Sequence, residues 1–221
     1  MRSVSAPLLE VIALTSADAE AAQAGGADRL EVVSDMAADG LSPTPATVAS
    51  IRAACDLPIR AMVRMTADFS CHDAAATVGL AAELIEAGAD GLVMGFLGAD
   101  GIDLDPIHAV WEATRRPWTF HRAVDHAADY PRAVTTAAAV PGVDQILTAG
   151  SAAGLSVGLE SLVANASAGP LMAGGGLARE HVTPLREAGI TAFHIGSAAR
   201  PDWDSTVDAG RVADWRAALD A

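Results

Sequence analysis

"ELIEAGADGLVMG" occupies residues 83–95, and its reading decides the fold. It begins as a helix end, with Leu84 and Ile85 among good helix formers. Gly88 follows, the residue type that supplies the left-handed turn at which helices stop. "GLVMG" then runs apolar without polar alternation, the pattern of a strand buried on both faces, as in a parallel sheet. Three other stretches repeat the pattern: "AAQAGGADRLEVV" (21–33), "AAAVPGVDQILTAG" (137–150) and "PLREAGITAFHIG" (184–196). Four more strands read between them: "LLEVIAL" (8–14), "PIRAMVRM" (58–65), "PWTFHRA" (117–123) and "PLMAGGG" (170–176). Helical patterns fill the gaps, from "SADAEAAQA" with a Ser or Asp cap to "DAGRVADWRAALDA". Eight strands alternating with eight helices argue for one α/β domain over residues 1–221, a single (β/α)8 TIM barrel. A doubly wound open sheet is the alternative.

Composition narrows the function. The chain is 51% hydrophobic and carries a formal net charge of −14, which disfavours nucleic acid and anionic membranes as partners. All 14 basic residues are arginine, so Schiff-base, P-loop and pyridoxal-phosphate lysines are excluded. Cys55 and Cys71 are too few for a disulfide scaffold. The N-terminal stretch lacks the segments of a signal peptide, and no run is long enough to span a membrane. A cytoplasmic protein is expected, with a small molecule or metal as partner; barrels of this size often pair, so a homodimer is allowed.

In such a barrel, chemistry collects at the C-terminal strand ends. Those ends offer Glu10, Glu31, Arg64, His121, Arg122, Asp125 and His194. Two carboxylates, two imidazoles and arginines suit acid–base work on a polar substrate. Glu10 or Glu31 would serve as base or acid, His121 and His194 as proton shuttles or electrophiles. The same groups suit a divalent metal, or each could be a satisfied core residue. Alternation along "TFHRAVD" (119–125) would place His121, Ala123 and Asp125 on one face while the pleat lasts. Ser34 after strand two, and Thr148, Gly150, Gly174, Gly175, Gly176, Gly196, Ser197 and Arg200 at the glycine-rich ends of strands six to eight, form an anion-binding set, held with Arg64 and Arg122. His108 and His181 read as solvated helix-face residues. Cys71 beside His72 is the candidate soft-metal pair, and Met62 and Met65 read as core filler.

The stretches "AAQAGGADRLEVVSDMAADGLSPT", "MVRM…DFS", "GADGLVMGFLGADGIDLD", "TFHRAVD", "ILTAG", "MAGGGL" and "FHIGSAAR" together resemble the CutC copper homeostasis protein family, from the first strand to the last helix. The resemblance implies a (β/α)8 barrel, a cytoplasmic role in copper handling and Cu(I) binding, with an enzymatic role left open. Three positions depart from the family pattern. Val33 stands where Glu-Leu-Cys-Ser would place a cysteine. "RMTADF" is shorter than the usual loop after strand three, and "HIGSAAR" is longer than the usual end of strand eight.

Overall fold

The computed structural model describes residues 6–221. The first five residues of the expected domain, with the start of the N-terminal stretch, lie outside them. The strands are β1 (Leu8–Ala13), β2 (Arg29–Val32), β3 (Ile59–Met62), β4 (Gly91–Met94), β5 (Trp118–Phe120), β6 (Val143–Thr148), β7 (Leu171–Ala173) and β8 (Ala192–Ile195). All pair in parallel and close in the order β1-β8-β7-β6-β5-β4-β3-β2. The helices α1 (Ser16–Ala24), α2 (Pro45–Ala54), α3 (Ala74–Glu86), α4 (Leu104–Thr114), α5 (Tyr130–Ala138), α6 (Leu155–Ala164), α7 (Val182–Glu187) and α8 (Ala209–Asp220) surround them. This is the expected (β/α)8 barrel.

The glycine that stops each repeated segment has positive φ: Gly26, Gly88, Gly142 and Gly189. Caps set most helix starts; Thr15 caps α1, with Asp18 completing a capping box. Outward strand residues such as Leu9, Val11, Leu30 and Leu92 pack with the helices into the main core. The lumen holds two small apolar clusters, one of Leu147, Met172 and Ala192 with Leu8, the other of Ile12, Val33, Met62 and Val93. Buried polar and charged side chains, among them Glu10, Arg29, Glu31, Arg60 and Thr119, accompany them. Arg60 pairs with Asp144, and Gly91 is bare backbone beside it; a Cβ there would lie 2.4 Å from the Arg60 guanidinium.

The structure corrects two expectations and adds a feature after β4. The strand of "TFHRAVD" ends at Phe120, and Arg122–His126 is a 3-10 turn with His121 as its cap, so the pleat never reaches Asp125. His181 is buried rather than solvated, its Nδ1 accepting from the Ala178 amide at 3.1 Å. A small hairpin, Leu97–Gly98 with Gly101–Ile102, follows β4. No helix of the described residues is long and apolar enough to cross a membrane.

Candidate active site at the barrel mouth

Strand register assembles the centre. Glu10 on β1 stands opposite His194 on β8 and Arg29 on β2, and Glu31 lies two residues beyond Arg29 on the same face. Glu10 receives the Arg29 Nε at 2.5 Å and meets His194 Nδ1 at 2.8 Å. His194 Nε2 lies 3.6 Å from Glu31 Oε2. All four side chains are buried, and Glu31 Oε1 has no partner among the described residues.

Their surroundings split the two carboxyls. Burial alone would raise Glu10, but the Arg29 charge and the His194 bond overcome it and hold the carboxyl at about 2. Burial dominates at Glu31; the His194 charge offsets only part of it, Glu10 adds to it, and the carboxyl is pushed up to about 7. His194 moves upward although burial opposes it, because Glu31 and Glu10 both favour the imidazolium. One carboxyl is thus fixed as an anion while its neighbour titrates near neutrality.

His121 is a neutral group. Burial and the nearby Arg64 charge lower its pKa to about 3. The Ala123 amide donates to its Nδ1 at 3.1 Å, so the ring proton sits on Nε2. That Nε2 is buried and without a partner among the described residues. Phe69 packs against the His121 ring at 5.4 Å and carries Arg64 on its own face at 4.6 Å. The Arg64 guanidinium donates to the carbonyls of Ala38, Asp39, Gly40, Ala67 and Asp68. It thereby ties the loops after β2 and β3 together.

Asp125 explains the rest of "TFHRAVD". Its carboxylate accepts from Thr148 Oγ1 at 2.6 Å, from the Ala149 and Gly150 amides at 3.0–3.2 Å, and from Arg122 Nε at 2.9 Å. The turn after β5 is clipped to "TAG" after β6. Thr148 and Gly150 are therefore occupied by Asp125. Gly150 also packs on α6, where a Cβ would lie 2.2 Å from the Gly158 carbonyl oxygen.

Glu31, His121 and His194 line one cavity of about 240 Å³, together with Arg64, Arg122, Gly175, Gly176, Gly196 and Ser197. The Gly175, Gly176 and Leu177 amides donate to no described residue, nor do those of Ser197 and Ala198. Arg122 lies against Gly175, and its Nη1 makes no hydrogen bond among the described residues. The other members of the anion set stand apart. Ser34 donates to the Ser42 carbonyl at 2.7 Å, Gly174 packs beside Leu147 and His194, and Arg200 is buried against Asp18. Two contributors were not singled out from sequence: Arg29, and Trp203, which lines the cavity from the loop after β8.

Glu10, Glu31 and His194 present ligand atoms within 4.8 Å of one another. Two carboxylates and an imidazole suit zinc, manganese or ferrous iron and do not fit the soft Cu(I) ion. Val33, where the family resemblance would place cysteine, is buried in the apolar cluster with Ile12 and Met62. Soft donors lie elsewhere, on a shared neighbour: Cys71 Sγ and Met65 Sδ are 3.5 and 3.7 Å from Thr77 Oγ1. Met65 is 48% exposed, not core filler. His72, beside Cys71 in sequence, is exposed and pairs with Asp68.

The family model described as the CutC family matches residues 8–199. A CutC protein of Xanthomonas axonopodis pv. citri is 33% identical over 199 residues, which take in 86% of this chain and 82% of that protein. One from Klebsiella pneumoniae is 32% identical over 195 residues, 85% of this chain and 78% of the relative. The crystal structure of CutC from Streptococcus agalactiae, named for copper homeostasis, superposes with a TM-score of 0.76 at 22% identity and covers 86% of this chain and 98% of its own.

Proposed function

The chain belongs to the CutC family, and from that premise we propose that its barrel mouth is an acid–base site that transfers a proton on a small anionic substrate. One arrangement carries the reading: Glu31, raised by burial to about 7 and with an Oε1 that has no partner among the described residues, lies 3.6 Å from His194 in the same cavity as a neutral His121 whose Nε2 is likewise without a described partner. A base with a pKa near the working pH combines availability with driving force. Glu31 takes a proton from the substrate and returns it to a neighbouring atom. The neutral His121 Nε2–H donates to the oxygen on which charge develops. His194 is held by the Glu10 carboxylate and keeps its Nε2 edge toward Glu31. The free amides of Gly175, Gly176 and Leu177, with Arg122, receive the anionic group. Isomerisation, epimerisation or elimination would use this arrangement, and no lysine-dependent step enters.

Calorimetric titration with inorganic phosphate tests the anion half. Binding that weakens at least tenfold in Arg122→Ala supports it; no heat from the unmodified chain contradicts it. Exchange of a substrate C–H proton with deuterated water, lost in Glu31→Gln, tests the other half.

A second reading is Cu(I) capture at the rim, favoured by the shared contact of Cys71 and Met65 on Thr77. A competition titration against a chromophoric Cu(I) chelator distinguishes it. One-to-one binding lost in Cys71→Ser supports it, and binding unchanged by that substitution contradicts it.

A further inference from the structure

The second wall of the cavity is apolar, and part of it is delivered by a loop that supplies no acid or base. Ile12, Val33, Met62 and Val93 form a cluster separate from the main core, against which Leu14, Met36 and Trp203 pack. Ile12, Met36, Met62 and Trp203 face the cavity directly. Trp203 is half-buried in the loop that follows β8.

That loop is held firmly. Arg200 is 1% exposed, a burial that is expensive for a guanidinium without partners. It donates to the Ile12 carbonyl at 2.6 Å and the Ser205 carbonyl at 3.2 Å, and it lies 3.5 Å from Asp18. The same guanidinium stands 5.0 Å from the centre of the Trp203 ring. Asp18 also accepts from the Val207 amide at 2.8 Å, closing the loop onto the start of α1. Asp202 accepts from Ser205 Oγ at 2.7 Å and the Asp204 amide at 3.1 Å, tightening the turn that carries the tryptophan. Gly196 completes the placement. A Cβ there would lie 2.8 Å from the indole Cη2 and 2.8 Å from Ile12 Cδ1, so bare backbone lets the indole edge come in. Arg200 and Gly196, read from sequence as anion groups, here position an aromatic ring.

An indole fixed at the edge of the cavity and left partly uncovered offers apolar area to whatever enters. We propose that Trp203 is the specificity-determining residue of the mouth, and that its ligand is a small anion bearing a flat apolar group that stacks on the indole. The inference rests on the anion reading above and adds the other half of the ligand. The charged group sits on the amides after β7 beside Arg122, and the flat group lies across the mouth against Trp203, Ile12 and Met62.

Calorimetry with two probes, inorganic phosphate and phenyl phosphate, tests the inference on the full chain at one ionic strength. Phenyl phosphate is expected to bind about tenfold more tightly than phosphate, the scale of one stacked ring. Trp203→Ala brings the two affinities to within about twofold, whereas Trp203→Phe, which retains a ring, keeps most of the difference. If Trp203→Ala does not fold, Trp203→Leu, apolar but without a ring, takes its place and is read in the same way. Phosphate binding with no preference for the phenyl ester overturns this inference and leaves the anion site standing. A preference that survives Trp203→Ala overturns it too, because the ring is then held elsewhere. No binding of either probe overturns both.

Discussion

Replacing Glu10 by Gln removes one charge from the buried Arg29–Glu10–His194 chain while keeping the shape. The carboxyl sits at about 2 in the fold against an ordinary 4.5. A group whose folded pKa is depressed stabilises the fold above its unfolded pKa and loses that contribution as pH falls through the folded value. At about 1.4 kcal/mol per pH unit, the Glu10 charge contributes about 3 kcal/mol at pH 7. A separate route gives a similar figure, since breaking a buried ion pair by removing one partner costs about 3–5 kcal/mol. Glu10→Gln should therefore lower the urea midpoint by about 1–3 M at pH 7, for a slope near the usual 1–3 kcal/mol/M. The gap should close as pH falls from 4.5 toward 2. Urea unfolding of both proteins across that range is the assay. Equal midpoints at pH 7, or a gap that persists at pH 2, would refute the assignment of Glu10 as the fixed anion.

Glu31 carries the opposite sign. Its carboxyl is raised from 4.5 to about 7, so ionising it destabilises the fold increasingly between those values; Glu31→Gln should gain melting temperature over wild type at pH 8 but not at pH 4, and a pH-independent difference would contradict this. Asp125→Ala should cost about 3 kcal/mol and speed amide exchange at Ala149 and Gly150, while unchanged protection would show that the clip holds nothing. Gly150→Ala forces a Cβ to within 2.2 Å of the Gly158 carbonyl oxygen at φ +75°, and should destabilise by about 2 kcal/mol or more in thermal unfolding; a neutral result would mean that α6 yields easily.

The barrel was legible because its signals are local. A left-handed glycine after a helix and an unbroken apolar run act within a dozen residues, and Gly26, Gly88, Gly142 and Gly189 each occupy the expected conformation. Glu10, Glu31 and His194 followed from strand position alone. Arg29 carries its own signal, since it lies two residues from Glu31 and must share its face. "TFHRAVD" misled because alternation was extended past Phe120, where a 3-10 turn redirects Asp125 toward residues more than twenty positions away. The glycine-rich ends could be read as anion sites, but which amides remain free depends on what else approaches them. Asp125 occupies Gly150, while Gly175 and Gly176 stay open. Trp203 gave no local sign, because its place depends on Arg200 and Asp18, 182 positions apart in sequence.

The most direct test of the acid–base mouth is the titration of the Glu31 side-chain carboxyl by carbon NMR in glutamate-labelled protein, assigned by its loss in Glu31→Gln. A midpoint near 7, moving upward when inorganic phosphate is added, is the result this account predicts. A midpoint near 4.5, indifferent to phosphate, would make Glu31 an ordinary carboxylate and remove the base from the site.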